Sequence, residues 1–158
     1  MKKQDLEFMR LAIAKAQKGI RKGQTPFGAC IVKNNKVITC SHNLVWKSNN
    51  ITAHAEVVAI GSACKALKTI DLSGCTIYST CEPCPMCFSA CHWARISRIV
   101  FGCEIKDARN FGFNEMAVSN LKLKKMAGSK IKIISQVAVK ENIGLFKIWQ
   151  KQAKAKAY

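Results

Sequence analysis

No apolar run in the 158 residues approaches the ~20 needed to cross a bilayer. The opening Met1-Lys2-Lys3-Gln4-Asp5 lacks the apolar core of a signal peptide. Membrane insertion and secretion are therefore not expected, and a soluble, cytoplasmic protein with no membrane partner is. Acids are scarce as well: nine Asp and Glu stand against 26 Lys and Arg, for a net charge of +17. No internal repeat or linker interrupts the chain, so residues 1–158 read as one domain. The hydrophobic share of 49% excludes a disordered chain and is enough for a core.

The charge is concentrated at the two ends. Residues 1–25 carry seven Lys or Arg against two acids, and residues 122–158 carry ten against one. Such segments fit a solvated basic shell, and also a polyanion-binding surface such as one for RNA. The predominance of lysine, with few interleaved aromatics, favours the shell. Nine cysteines are an odd number in a chain too long to need disulfide staples, which points to a reducing compartment. Cys30, Cys40, Cys64 and Cys103 stand in apolar stretches as small core residues.

Leu6, Met9, Ile13, Ala16 and Ile20 recur at intervals of three and four, predicting an amphipathic first helix that ends between Gly19 and Gly23. Ala29–Val32 and Val37–Cys40 predict a hairpin turned at Asn34-Asn35. Residues 41–51 read as a polar loop, and Thr52 as the cap of a helix with His54 and Glu56 in its first turn. Further elements are a strand at Cys75–Tyr78, a helix at Pro85–Arg95 and a strand at Ile96–Gly102. After mixed helix and loop over 106–123 come a strand at Lys130–Val139 and a last helix marked by Leu145, Phe146, Trp149 and Ala153. This order makes a three-layer α/β domain.

Two short stretches carry chemistry: His54-Ala55-Glu56 and Cys81-Glu82-Pro83-Cys84-Pro85-Met86-Cys87. Cys84 and Cys87 are spaced to share one helical face, so both thiols can hold one metal ion. With His54 they make three ligands, which leaves one tetrahedral position open, the count of a catalytic zinc site. Both ligand sets fall at helix N-termini, where the dipole favours thiolate over thiol. Glu56, two residues after His54, can stand beside the open position and carry a proton. The alternative is a closed zinc knot with Cys81 or Cys91 as fourth ligand, which leaves Glu56 without a role.

His54-x-Glu56 with Pro83-Cys84-x-x-Cys87 matches the signature of zinc deaminases. Together, Thr52 to Glu56 and Glu82 to Cys87 resemble the cytidine-deaminase-like superfamily, and the similarity runs over roughly 5–158. The resemblance implies a three-layer α/β/α fold with a central, mostly five-stranded mixed sheet. It also implies one Zn2+ per chain and hydrolytic loss of ammonia from a base. Several further stretches are similar to bacterial-type guanine deaminases. They are Pro26-Phe27-Gly28-Ala29, Asn43, Trp93-Ala94-Arg95, Gly112-Phe113 followed by an acid, Phe146-x-x-Trp149 and the terminal Tyr158.

That similarity implies a homodimer in which a C-terminal segment, about 140–158, crosses to the partner, and Tyr158 helps close the partner's site. Phe27 and Trp93 would pack on a small purine substrate, Asn43 would hydrogen-bond the base, and Glu115 would be a second proton carrier beside Glu56. Family members often carry two aspartates after Gly-Phe, where this chain has Asn114-Glu115; the longer side chain leaves substrate preference open. Without the resemblance, Phe27 and Trp149 read as core aromatics, Trp93 as a wall of the core, Asn43 as a loop brace, Glu115 as a solvated acid and Tyr158 as a frayed end. The expected reaction is guanine to xanthine and ammonia. Arg95-Ile96-Ser97-Arg98-Ile99-Val100-Phe101-Gly102 resembles tRNA adenosine deaminases about as well, which makes tRNA the second substrate class. Guanosine or cytosine deamination follows, and then a non-catalytic zinc and RNA-binding module that makes no use of Glu56.

Overall fold

The structure, a computed structural model, describes residues 3–158. In chain order the elements are α1 (Lys3–Arg21), β1 (Gly28–Lys33), β2 (Lys36–His42), α2 (Val45–Ser48), α3 (Ala55–Leu67), β3 (Cys75–Cys81) and α4 (Pro85–Trp93). They continue with β4 (Arg98–Cys103), α5 (Ile105–Asn110), α6 (Asn120–Met126), β5 (Lys132–Ile134) and α7 (Val139–Gln150). The strands form one sheet in the order β2-β1-β3-β4-β5. β1 is antiparallel to both of its neighbours, and β3, β4 and β5 run parallel. The sheet is thus five-stranded and mixed. α1 lies against β1 to β4 with α7 beside it, while α3 packs on β1 to β3 and is joined by α4.

The local causes are those of the sequence. Asn34 and Asn35 take φ of 48° and 60°, the left-handed pair that a two-residue hairpin needs. α1 buries Met9, Ala12, Ile13, Ala16 and Ile20 on the sheet. It comes so close to β1 that a Cβ at Gly28 would stand 2.2 Å from the Ala12 carbonyl oxygen. Only glycine admits this approach, and it sets the position of Phe27 just before the strand.

Several boundaries differ from the sequence reading, among them α4, which ends at Trp93 and not Arg95, and β4, which begins at Arg98 and not Ile96. The 41–51 loop contains α2, a single turn begun by Asn43, whose Oδ1 accepts the Val45 N–H at 2.9 Å. Thr52 does not cap the next helix, because its hydroxyl donates to Asn50 Oδ1; His54 is the N-cap. The strand expected over 130–139 is only β5, since Gln136 and Ala138 have φ of 62° and 56° and break the extended path. The last helix, Val139–Gln150, contains Leu145, Phe146 and Trp149 but ends before Ala153.

One buried polar cluster ties α1 to the sheet. Arg98 Nη2 donates to Asp5 Oδ2 at 2.8 Å, and the Tyr78 hydroxyl donates to Asp5 Oδ1 at 3.0 Å. Burial, followed by that bond to Asp5, pushes the Tyr78 phenol up to about 12 from its ordinary 10. A raised folded-state pKa adds stability that is present below pH 10 and is lost as pH rises through about 12. Between pH 9 and 12 the stability advantage of the native chain over Tyr78→Phe should fall by about 2–3 kcal/mol, read from urea unfolding at each pH. A pH-independent difference would contradict it.

Candidate active site

The site lies where β3 and β4 end, at the carboxyl edge of the parallel part of the sheet, the usual ligand edge of open α/β folds. β3 delivers Cys81 and then the turn Glu82-Pro83-Cys84 to the start of α4. Cys84 is the N-cap, Pro85 opens the first turn and Cys87 follows within it. α3 begins beside it with His54 as N-cap and Glu56 in its first turn. Two helix starts therefore converge on one point.

His54 Nδ1 stands 3.6 Å from the sulfur of Cys84 and 3.6 Å from that of Cys87. A tetrahedral zinc at ~2.3 Å from sulfur and ~2.0 Å from nitrogen sets sulfur and nitrogen about 3.6 Å apart, so the three residues fit the ion. Among the described residues this triad is the single His/Cys/Asp/Glu cluster with ligand geometry. Cys91, one turn beyond Cys87, is buried away from it, as is Cys81, whose thiol points to the Glu104 carbonyl oxygen at 3.6 Å. The closed four-ligand knot is thereby disfavoured.

The thiol of Cys87 hydrogen-bonds the sulfur of Cys84 and, with His54, lowers the Cys84 pKa to about 4. The same bond, together with burial, raises Cys87 well above the usual thiol range. Burial opposes the charged form of His54, but the hydrogen bond to Cys84 and the charge of Glu56 outweigh it and raise its pKa. The Cys84 sulfur is thus favoured as thiolate, while a metal would displace the proton held on Cys87 and compete with one on His54.

Glu56 is 6% exposed, and its Oε1 accepts the Ser79 hydroxyl at 3.0 Å. Burial raises its pKa above that of an ordinary carboxyl. Glu115 lines one recess with Glu56, and burial followed by the Cys84 charge pushes it up to about 7. The raised Glu115 suits proton transfer near neutrality, and burial moves Glu56 in the same direction.

A cavity of about 310 Å³ opens over the triad, lined by His54, Cys84, Met86, Glu115, Met116 and Tyr158 among others. A narrow recess beneath it is walled by Phe27, Glu56, Glu82 and Glu115. Phe27 is held edge-on to Phe113 at 4.9 Å and to Phe146 at 5.5 Å, so it is a core ring with one side on the site. Trp149 belongs to the same cluster and is core alone.

Tyr158 comes back over the site. Its ring centre is 5.5 Å from that of His54, and its hydroxyl accepts the Asn43 side-chain N–H at 2.6 Å. Its carbonyl accepts the Asn114 N–H at 2.9 Å, and Trp46 Nε1 donates to Lys156 O at 3.0 Å. Asn43 is thus fully buried, with its amide held between Tyr158 and the Val45 N–H.

Trp93 is the departure. It ends α4, about 13 Å of helix rise beyond Cys84, and is 83% exposed, outside the cavity. Within one chain it does not join Phe27, Asn43 and Tyr158. Sequence reasoning also missed Ser79, Met86, Met116 and the structural use of Glu82. For Glu82 and Met86 the signal was position inside the cysteine motif; Ser79 and Met116 gave none.

Residues 2–103 match the model of the cytidine and deoxycytidylate deaminase zinc-binding region. The guanine deaminase of Bacillus subtilis (strain 168) is 38% identical over 152 residues, covering 96% of this chain and 97% of that protein. The tRNA-specific adenosine deaminase of the same organism is 46% identical over 99 residues, covering 63% of this chain and 62% of that protein. A crystal structure of B. subtilis guanine deaminase superposes with a TM-score of 0.67 at 36% identity, covering 100% of this chain and 99% of the other. Among the described residues no helix is long and apolar enough to cross a membrane. The converging helix starts, the His54–Cys84–Cys87 triad and these similarities together make the chain a member of the cytidine and deoxycytidylate deaminase family, a zinc-dependent deaminase.

Proposed function

We propose that the chain hydrolyses guanine to xanthine and ammonia, with one zinc ion held by His54, Cys84 and Cys87. The observation that carries this reading is the C-terminal cover: Tyr158 rests on Asn43 and on the His54 ring, leaving a cavity of about 310 Å³. That is the lower end of small-ligand pockets and suits a free base better than a base still attached to a strand. The similarity to guanine deaminase also continues through this segment, whereas that to the tRNA enzyme spans 99 residues.

Held by His54, Cys84 and Cys87, zinc would supply an acidified water. Glu56 takes a proton from the attacking water at its free carboxylate oxygen while Ser79 holds the other. It hands that proton to the ring nitrogen next to the amine-bearing carbon. Glu115 lines the recess with Glu56, and its raised pKa keeps a share of it protonated near neutral pH, so it can protonate the departing amine. The water oxygen adds to the carbon; as the carbon–nitrogen bond breaks and ammonia leaves, the added hydroxyl gives its proton back to Glu115 and becomes the carbonyl. Phe27 walls the base, Asn43 braces Tyr158 through its amide instead of facing the cavity, and Tyr158 excludes bulk water. A homodimer exchanging residues 140–158 would make the Tyr158 and Trp46 contacts between chains instead of within one.

The +17 charge and the 46% identity to a tRNA-specific enzyme favour tRNA adenosine as the second reading. Zinc-loaded enzyme offered guanine, guanosine, cytosine and tRNA should release ammonia from guanine with kcat/KM at least about 100-fold above the rest, a discrimination within reach of a hydrogen-bonding pocket. Inosine formed in tRNA at a higher efficiency than xanthine from guanine would reverse the order.

A further inference from the structure

Glu82 sits one residue before Pro83-Cys84 and is 7% exposed, yet among the described residues its carboxylate makes no ion pair. Oε1 accepts the Asn120 backbone N–H at 2.7 Å, and Oε2 accepts that of Ile105 at 3.3 Å. Asn120 answers with its side chain, donating from Nδ2 to the Pro83 carbonyl oxygen at 2.6 Å. Asn120 has no exposed surface, and its Oδ1 has no protein partner among the described residues. A buried carboxylate and a half-satisfied amide are poor choices if packing is all that this corner requires.

Their place in the chain explains them. The segment that brings Glu115 over the triad runs between two anchors. At one end Phe113 is packed 4.9 Å from Phe27 and 5.0 Å from Trp149. At the other end is Asn120. Between the anchors, residues 114–119 belong to no regular element. The second anchor is fastened to the residues adjoining the metal ligand Cys84, so the loop and the ligand turn keep one relative position.

We propose that Glu82 is a positioning residue: through Asn120 it holds the 114–119 loop in register with the Cys84 turn and so sets the reach of Glu115 into the cavity. This rests on the reading of Glu115 as a proton carrier. A displacement of about 1 Å at a reacting group costs on the order of 100-fold in rate, which is the scale at which such a clamp matters.

The test is a double-mutant cycle on zinc-loaded enzyme, with ammonia release, zinc content and amide hydrogen exchange measured on each variant. Glu82→Gln keeps the volume but can accept only one of the two N–H groups. It should lower kcat at least about tenfold, with zinc content and KM near wild type, and should speed amide exchange over residues 114–120. In a Glu115→Gln background the same change should cost less than about threefold more, because its effect runs through Glu115. Asn120→Ala cuts the clamp from the other side and should repeat both results, which decides the matter if Glu82→Gln does not fold. Additive losses, unchanged exchange, or activity lost only in proportion to zinc overturn the clamp. Wild-type turnover in Glu115→Gln alone overturns the role of Glu115 instead, whatever the Glu82 variant does.

Discussion

Glu56→Gln should lower kcat about a thousandfold, about 4 kcal/mol in activation free energy, and leave the protein folded with its zinc. Glutamine fills the same space and still reaches the Ser79 hydroxyl, so binding contacts persist and KM should stay within about threefold. What disappears is the proton carrier. Burial is the first cause of the raised Glu56 pKa, so the native carboxyl is a stability cost carried for function. The variant should therefore melt no lower than the native protein, and calorimetry beside the ammonia assay would show loss of rate without loss of fold. More than a tenth of native activity in the variant would remove Glu56 from the mechanism. Equal RNA binding and no ammonia release from either form would favour the non-catalytic module.

Removal of the metal should abolish ammonia release, and zinc should restore it to the native chain but not to Cys87→Ala. Cys87 is fully buried and shares His54 Nδ1 with Cys84, so its loss leaves two ligands, too few to hold the ion. Zinc bound at about 1,000 times its dissociation constant adds about 4 kcal/mol to the folded state, so chelation should lower Tm by about 10 °C. Zinc affinity should also weaken as pH falls, because the raised pKa of His54 lets a proton compete for the nitrogen that must bind the metal. Full turnover in chelated protein, with zinc absent by elemental analysis, is the result that would end this account.

The metal centre is legible in the sequence because its parts are local. His54 and Glu56 share the start of one helix, and Cys84 and Cys87 the start of another. Within such short spans the covalent chain and helix geometry decide which side chains can meet. The alternation of elements likewise points to a layered α/β fold, and the five-stranded mixed sheet agrees with it. Boundaries failed where a side chain outbid local propensity, as with Asn43 starting α2 and Asn50 drawing Thr52 away from the helix cap.

The pocket is a different kind of object. Asn43 and Tyr158 are 115 residues apart and are joined at 2.6 Å only because β2 and the tail after α7 end beside the same helix starts. Nothing in the sequence around Glu82 showed that its carboxylate would be spent on Asn120, 38 positions on. Trp93 shows the reverse: a motif neighbour whose ring the rise of α4 carries out to solvent. The sequence by itself determined the zinc-binding motif, the acid proposed as proton carrier and the reaction class, because those depend on residue chemistry at fixed short spacing. Which side chains brace Tyr158 over the cavity, and how the Glu115 loop is held there, only the tertiary structure decided, because contacts between distant segments depend on how the sheet and helices pack.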